Sequence, residues 1–169
     1  PSGFSRHEED VLGSVFVLIF RVGVFVALQL LKLLFEAVAD VFQKDELFDL
    51  WQVCNYHNYV CDGPAPANGG IMTASARSLL ENILDSADEA IRSGTHAATL
   101  RFGHDGNIIP LVALLQLGDM WKAETDPDKF YRAWCNFKVT PMAANVQLVF
   151  FRKKASDDIL VKFMHCEKE

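Results

Sequence analysis

The stretch Leu100-Arg101-Phe102-Gly103-His104-Asp105-Gly106-Asn107-Ile108-Ile109-Pro110 decides how the rest of the chain is read. Ala97 to Phe102 has the composition of a short buried strand entered after a turn at Ser93-Gly94. Pro110 to Leu117 reads as an apolar helix closed by Gly118. His104 and Asp105 therefore stand where a strand hands over to a helix. A helix start presents backbone N–H groups and the positive end of a dipole, which together favour a bound anion. The carboxyl end of a strand in an open α/β sheet is also the usual ligand position. There an imidazole can hydrogen-bond a non-bridging oxygen of a phosphate ester, and a carboxylic acid can protonate the departing alcohol oxygen.

Upstream of this stretch, Thr73 to Ile91 carries the clearest helical pattern. Leu79, Leu80, Ile83, Leu84, Ala87 and Ile91 form one apolar stripe opposite Arg77, Glu81, Asp85 and Glu89, and Gly94 is a natural stop. Asn55 to Gly70 reads as a loop, because Gly63, Pro64, Pro66, Gly69 and Gly70 oppose a helix. Glu36 to Cys54 reads as a helix capped by Asp45, with Leu47, Leu50, Trp51 and Cys54 as core. Downstream, Asp119 to Lys138 lacks a clean period and is expected to wrap the surface. Val139 to Phe151 and Ile159 to Met164 read as two strands joined by the charged turn Lys153 to Asp158. Val146 to Phe151 is nearly all apolar, as expected of a strand covered on both faces.

The first residues differ in character. Val11 to Phe35 is almost continuously hydrophobic, broken by Arg21, Gln29 and Lys32. Its length admits a membrane helix, although Arg21 near the middle is costly there. A buried helix, or two helices breaking near Gly23, is the alternative, and Val15 to Phe20 also has strand composition. A third reading is that this segment is foreign to the rest of the coding sequence.

At 169 residues, half of them apolar, the chain suits one domain with a real core. Its net charge of −6, with no basic cluster beyond Arg152-Lys153-Lys154, argues against a nucleic-acid partner. Any attraction for a polyanion must come from a local pocket. Cys54, Cys61, Cys135 and Cys166 lack zinc-finger spacing, so a structural metal site is not expected, and the sequence implies no cofactor. A disulfide, with Cys54 and Cys61 nearest in sequence, and free buried thiols are both open.

Residues 100–111, Leu-Arg-Phe-Gly-His-Asp-Gly-Asn-Ile-Ile-Pro-Leu, closely resemble the C-terminal His-Asp motif of the histidine acid phosphatases, in particular the multiple inositol polyphosphate phosphatase (phytase-like) branch. Two more stretches look like that branch: residues 58–70, Asn-Tyr-Val-Cys-Asp-Gly-Pro-Ala-Pro-Ala-Asn-Gly-Gly, and residues 141–145, Pro-Met-Ala-Ala-Asn, with the strand after them. The resemblance runs from about Ala37 to Glu169. It divides the chain into a hydrophobic segment, 1–36, and the C-terminal part of a phosphatase-like domain, 37–169. The fold class implied is α/β: a partial histidine-phosphatase-like sheet flanked by helices, with a C-terminal β-hairpin and an N-terminal hydrophobic helical segment.

The resemblance also implies a reaction, phosphomonoester hydrolysis through a phosphohistidine. Asp105 would protonate the leaving oxygen and His104 would hold phosphoryl oxygens. Arg101, Asn68 and Asn145 are candidate substrate contacts, with His57 conceivable. For Arg101 a direction away from the site is the alternative, and for Asn68 and Asn145 a role in rigid turns. Inositol phosphates are the implied small-molecule partners, and the implied location is periplasmic or secreted.

The family's nucleophile motif runs Arg-His-Gly-x-Arg. Here Arg6-His7 is followed by Glu8-Glu9-Asp10, whose carboxylates would repel phosphate, and His7 reads as a solvated terminal residue. The chain is thus expected to hold the His-Asp half of a site and little or no activity by itself. The competing readings are a phosphate-binding module without turnover and a small protein anchored to a membrane by Val11 to Phe35.

Overall fold

The computed structural model describes residues 9–13, 19–20, 41–94, 98–153 and 157–169. His7 and most of Val11 to Phe35 lie outside these residues. The described parts of that segment are strands rather than helix: β1, Glu9–Gly13, and β2, Ile19–Phe20. No helix among the described residues is long and apolar enough to cross a membrane.

Helix α1 spans Lys44–Cys61 and begins one residue before the expected cap, Asp45. Gln43 is the cap, and its N–H donates to the Glu46 carboxylate at 2.7 Å. The helix also runs seven residues past Cys54, into the expected loop, and stops only at Asp62-Gly63-Pro64. Gly63 is required there, because a Cβ would lie 2.7 Å from the Tyr59 carbonyl oxygen. The buried face of α1 is not the expected apolar one. Leu50 and Cys54 are exposed, whereas Asn55 and Tyr59 are buried.

A 3-10 turn at Pro66–Asn68 leads to α2, Ile71–Ser75, and then to α3, Arg77–Ser93. The single helix expected over Thr73 to Ile91 is therefore interrupted at Ala76. Its apolar stripe faces the core as expected through Ile83 and Ala87, although Leu84 is exposed, and Gly94 closes α3 at φ +64°.

Strand β3 is Arg101–Phe102 alone, paired in parallel with β2. It is short and open, with Leu100 54% and Phe102 62% exposed, so the expectation of a buried strand is corrected. Helix α4 then spans Asp105–Leu114, five residues ahead of the expected start. Pro110 is its sixth residue, where the missing N–H forfeits only the bond to the Gly106 carbonyl. The helix is closed by Gln116 at φ +54° rather than by Gly118. Leu117 N–H reaches Val112 O at 3.0 Å and Gln116 N–H reaches Ala113 O at 3.2 Å, the two bonds of a left-handed cap. Ile108 to Ala113 are all buried.

Two four-residue helices follow, α5, Phe130–Ala133, and α6, Asn136–Val139. Phe130, Trp134 and Val139 belong to the core, so this stretch does not merely wrap the surface. The chain ends in β4, Val146–Lys153, and β5, Ile159–His165, an antiparallel hairpin as expected, although the first strand begins seven residues after the expected Val139, which is instead the last residue of α6. In the three-stranded sheet β4 lies between β1 and β5, and residues 144–150 are all buried. The architecture is α/β, and the cysteines that are free include both of α1. Cys54 and Cys61 sit seven residues apart on one helix, about 10 Å along its axis, which is too far for a disulfide.

Candidate functional site

His104 and Asp105 come together at the start of α4, because His104 is the N-cap and Asp105 the first helical residue. The cap is local. His104 N–H donates to Asn107 Oδ1 at 3.2 Å, and the His104 carbonyl accepts from Asn107 and Ile108 N–H at 2.9 and 3.3 Å. The Asn107 side chain and the backbone thus hold the turn, while the His104 side chain is exposed and Asp105 is half-buried. The Asp105 carboxylate accepts from the Gly106 N–H at 3.2 Å. A carboxylate in a first helical turn also interacts favourably with the helix dipole.

A second carboxylate stands at the same helix start. Asp62 is the residue that ends α1, and its Oδ1 lies 3.4 Å from where a Cβ on Gly106 would project. Its sequence signal is Asp62-Gly63-Pro64 directly after a helical run, which marks an ordered turn. The end of α1 therefore lies beside the mouth of the His-Asp turn. The chemical capacity of the arrangement is an exposed imidazole and a half-buried carboxyl group at the positive end of a helix.

The other candidates are placed elsewhere. Arg101 lies against α3: its Nη2 donates to Asn82 Oδ1 at 2.7 Å, to Asn82 O at 3.2 Å and to Ser86 Oγ at 2.9 Å. Its Nη1 is buried and has no hydrogen-bond partner among the described residues. Asn68 folds its own loop. The amide donates to Val60 O at 3.0 Å and Gly63 O at 2.9 Å, and its oxygen accepts from Gly70 N–H at 2.9 Å. Asn145 is buried at the base of the hairpin, donating to Glu167 at 3.2 Å and accepting from Gln147 at 2.9 Å. His57 is exposed on α1.

A cavity of about 240 Å³ opens beside Tyr59, walled by Tyr56, Pro66, Glu124, Pro127 and Phe130 among others, and neither His104 nor Asp105 lines it. Tyr59 is its fixed wall. The hydroxyl accepts from Glu124 N–H at 2.6 Å and donates to Glu124 O at 3.1 Å, and the ring stacks on Phe130 at 5.5 Å. Burial pushes the Tyr59 hydroxyl above its ordinary pKa, as it does the Cys135 thiol. Both are therefore neutral structural groups at neutral pH.

The model of the histidine phosphatase superfamily (branch 2) matches residues 29–165. Among solved structures, the chain is similar to the multiple inositol polyphosphate phosphatase of Bifidobacterium longum. Against its complex with inositol hexasulfate the identity is 28% and the TM-score 0.58, over 66% of this chain and 24% of that one. Against its complex with phosphate the identity is 28% and the TM-score 0.60, over 70% and 25%. The chain thus spans about a quarter of the length of these structures. Among curated proteins there is no match. By the extent of the family match, which includes the whole His-Asp turn, this chain belongs to the histidine phosphatase superfamily, branch 2.

Proposed function

We propose that the chain carries the His-Asp half of a phosphomonoesterase site for inositol polyphosphates, and that its 169 residues do not include the nucleophile. The observation that carries this reading is the placement of His104 as N-cap and Asp105 as first residue of α4, with the His104 side chain exposed at the positive end of the helix. In the reaction, a histidine outside this half takes the phosphoryl group. The P–O bond to the inositol oxygen breaks, and Asp105 delivers its proton to that oxygen. His104 and the first backbone N–H groups of α4 hold the phosphoryl oxygens as charge builds on them.

The substrate class rests on the similar structures, which hold inositol hexasulfate and phosphate. A sulfate ester has the tetrahedral shape of a phosphate ester, so the hexasulfate stands in for a polyphosphorylated inositol. In this reading Arg101, Asn68 and Asn145 support the scaffold, since they hydrogen-bond to α3, the 60–70 loop and the hairpin respectively.

Phosphate release from inositol hexakisphosphate tests the proposal. The chain alone gives background release. Joined to a family N-terminal portion that supplies Arg-His-Gly-x-Arg, it gives turnover, and Asp105→Asn lowers that turnover by about 10²–10⁴-fold. Strong release by the chain alone, abolished in Asp105→Asn, would overturn the half-site reading. A folded joined form without any release would overturn the phosphatase reading.

A further inference from the structure

Two exposed donors stand one turn apart at the end of α1. His57 Nδ1 and Cys61 Sγ are 3.7 Å apart, and neither side chain is used in the site described above. In the tautomer with its proton on Nε2, the His57 imidazole turns the Nδ1 lone pair toward the sulfur. That lone pair is the one a metal ion would take.

The spacing has a specific meaning. With Zn–S near 2.3 Å and Zn–N near 2.0–2.1 Å, a tetrahedral ion holds its sulfur and nitrogen donors about 3.6 Å apart. The pair is already at that bite, so a shared ion needs no backbone change. The local field agrees: the last turn of α1 holds no basic residue, Asp62 follows it, and a helix C-terminus carries the negative end of the dipole.

A second Cys–His pair among the described residues shows why distance alone is insufficient. Cys166 Sγ and His165 Nε2 are 3.6 Å apart, but that nitrogen lies 2.7 Å from Val139 O and must hold its proton to donate there. It has no lone pair to offer.

We propose that His57 and Cys61 form a two-donor site for a thiophilic ion of the zinc class. On binding, the thiol releases a proton to solvent, the thiolate and the Nδ1 lone pair each form one bond to the metal, and no electron is transferred. Among the described residues no cluster of three or more His, Cys, Asp or Glu side chains is placed to hold a metal. Water or an external donor therefore completes the coordination, and the ion exchanges readily. The soft sulfur selects against magnesium and calcium.

Cobalt titration of the full chain tests this through the near-ultraviolet thiolate-to-cobalt band. The band saturates at one ion per chain and is displaced by zinc but not by magnesium. It is lost in Cys61→Ser, loses saturation at one equivalent in His57→Ala, and is retained in Cys54→Ser and Cys166→Ser. A band that survives Cys61→Ser, a titration unaltered by His57→Ala, or no band in the unaltered chain would overturn the proposal. All four positions lie outside the proposed hydrolytic pair, and the titration requires no turnover.

Discussion

The buried face of α1 and the first turn of α4 are both rich in polar side chains, and they use them in opposite ways. Asn55, at 0% exposure, donates to Trp134 O at 3.2 Å and accepts from Asn136 N–H at 2.7 Å. Asn136 in turn accepts from the Trp51 indole N–H at 3.1 Å and donates to Asn58 at 3.2 Å. These side chains satisfy backbone and amide groups that would otherwise be stranded where α1 meets α5 and α6. In the first turn of α4 the backbone is capped locally, and the His104 side chain faces solvent. Residue type does not separate scaffold from chemistry; the location of the hydrogen-bond partners does. By that criterion Asn68 and Asn145 resemble Asn55 more than His104.

The comparison is broken most directly by exchanging the effects of substitution. In the joined, active form Asp105→Asn is expected to lower turnover by about 10²–10⁴-fold while leaving the unfolding free energy from urea denaturation within about 0.5 kcal/mol of the original. Asn55→Leu has the converse effect. It strands the Trp134 carbonyl and the Asn136 N–H, and urea denaturation is expected to show a loss of about 2–4 kcal/mol. A stability cost at Asp105 as large as that at Asn55 would erase the distinction between the two regions.

Smaller effects sharpen it. Tyr59→Phe removes both bonds to the Glu124 backbone but keeps the ring stack, for a loss of about 1–2 kcal/mol by the same assay. Gly106→Ala is expected to raise stability by about 0.4–1 kcal/mol, since the added Cβ meets Asp62 at an ordinary contact distance of 3.4 Å. If turnover in the joined form falls while stability rises, the first turn of α4 approaches the substrate through its backbone.

The smallest effect is electrostatic. Asp126 is held below the usual carboxylate range, chiefly by its hydrogen bond with Lys129, whose own pKa is raised by the same contact. The Asp126 contribution is present above its unfolded pKa and is lost as pH falls through the lower folded value. The Lys129 contribution is present below its unfolded pKa and is lost as pH rises through the higher folded one. Because both groups are at the surface, Asp126→Asn should only slightly flatten the acid limb of a stability-versus-pH curve.

Local patterns in the sequence were sufficient for several elements. The stripe around Ile83 and Ala87 with Gly94 behind it, the apolar run Val146 to Phe151, and the place of His104-Asp105 at a strand-to-helix junction each depend on residues a few positions apart. Helix periodicity, glycine at positive φ and capping act over that range, so they are legible without the fold. What tertiary structure alone decided involves distant partners. Helix α1 continues to Cys61 with Asn55 and Tyr59 inward, because their partners Trp134 and Glu124 are 79 and 65 residues away. Trp134 is core for the same reason, packing on Tyr59 at 5.4 Å. Asp62 meets Gly106 only once α1 and α4 are folded together. A side chain's neighbours across the fold, rather than its neighbours in the chain, determine whether its polar atoms are engaged in holding the structure or presented for chemistry.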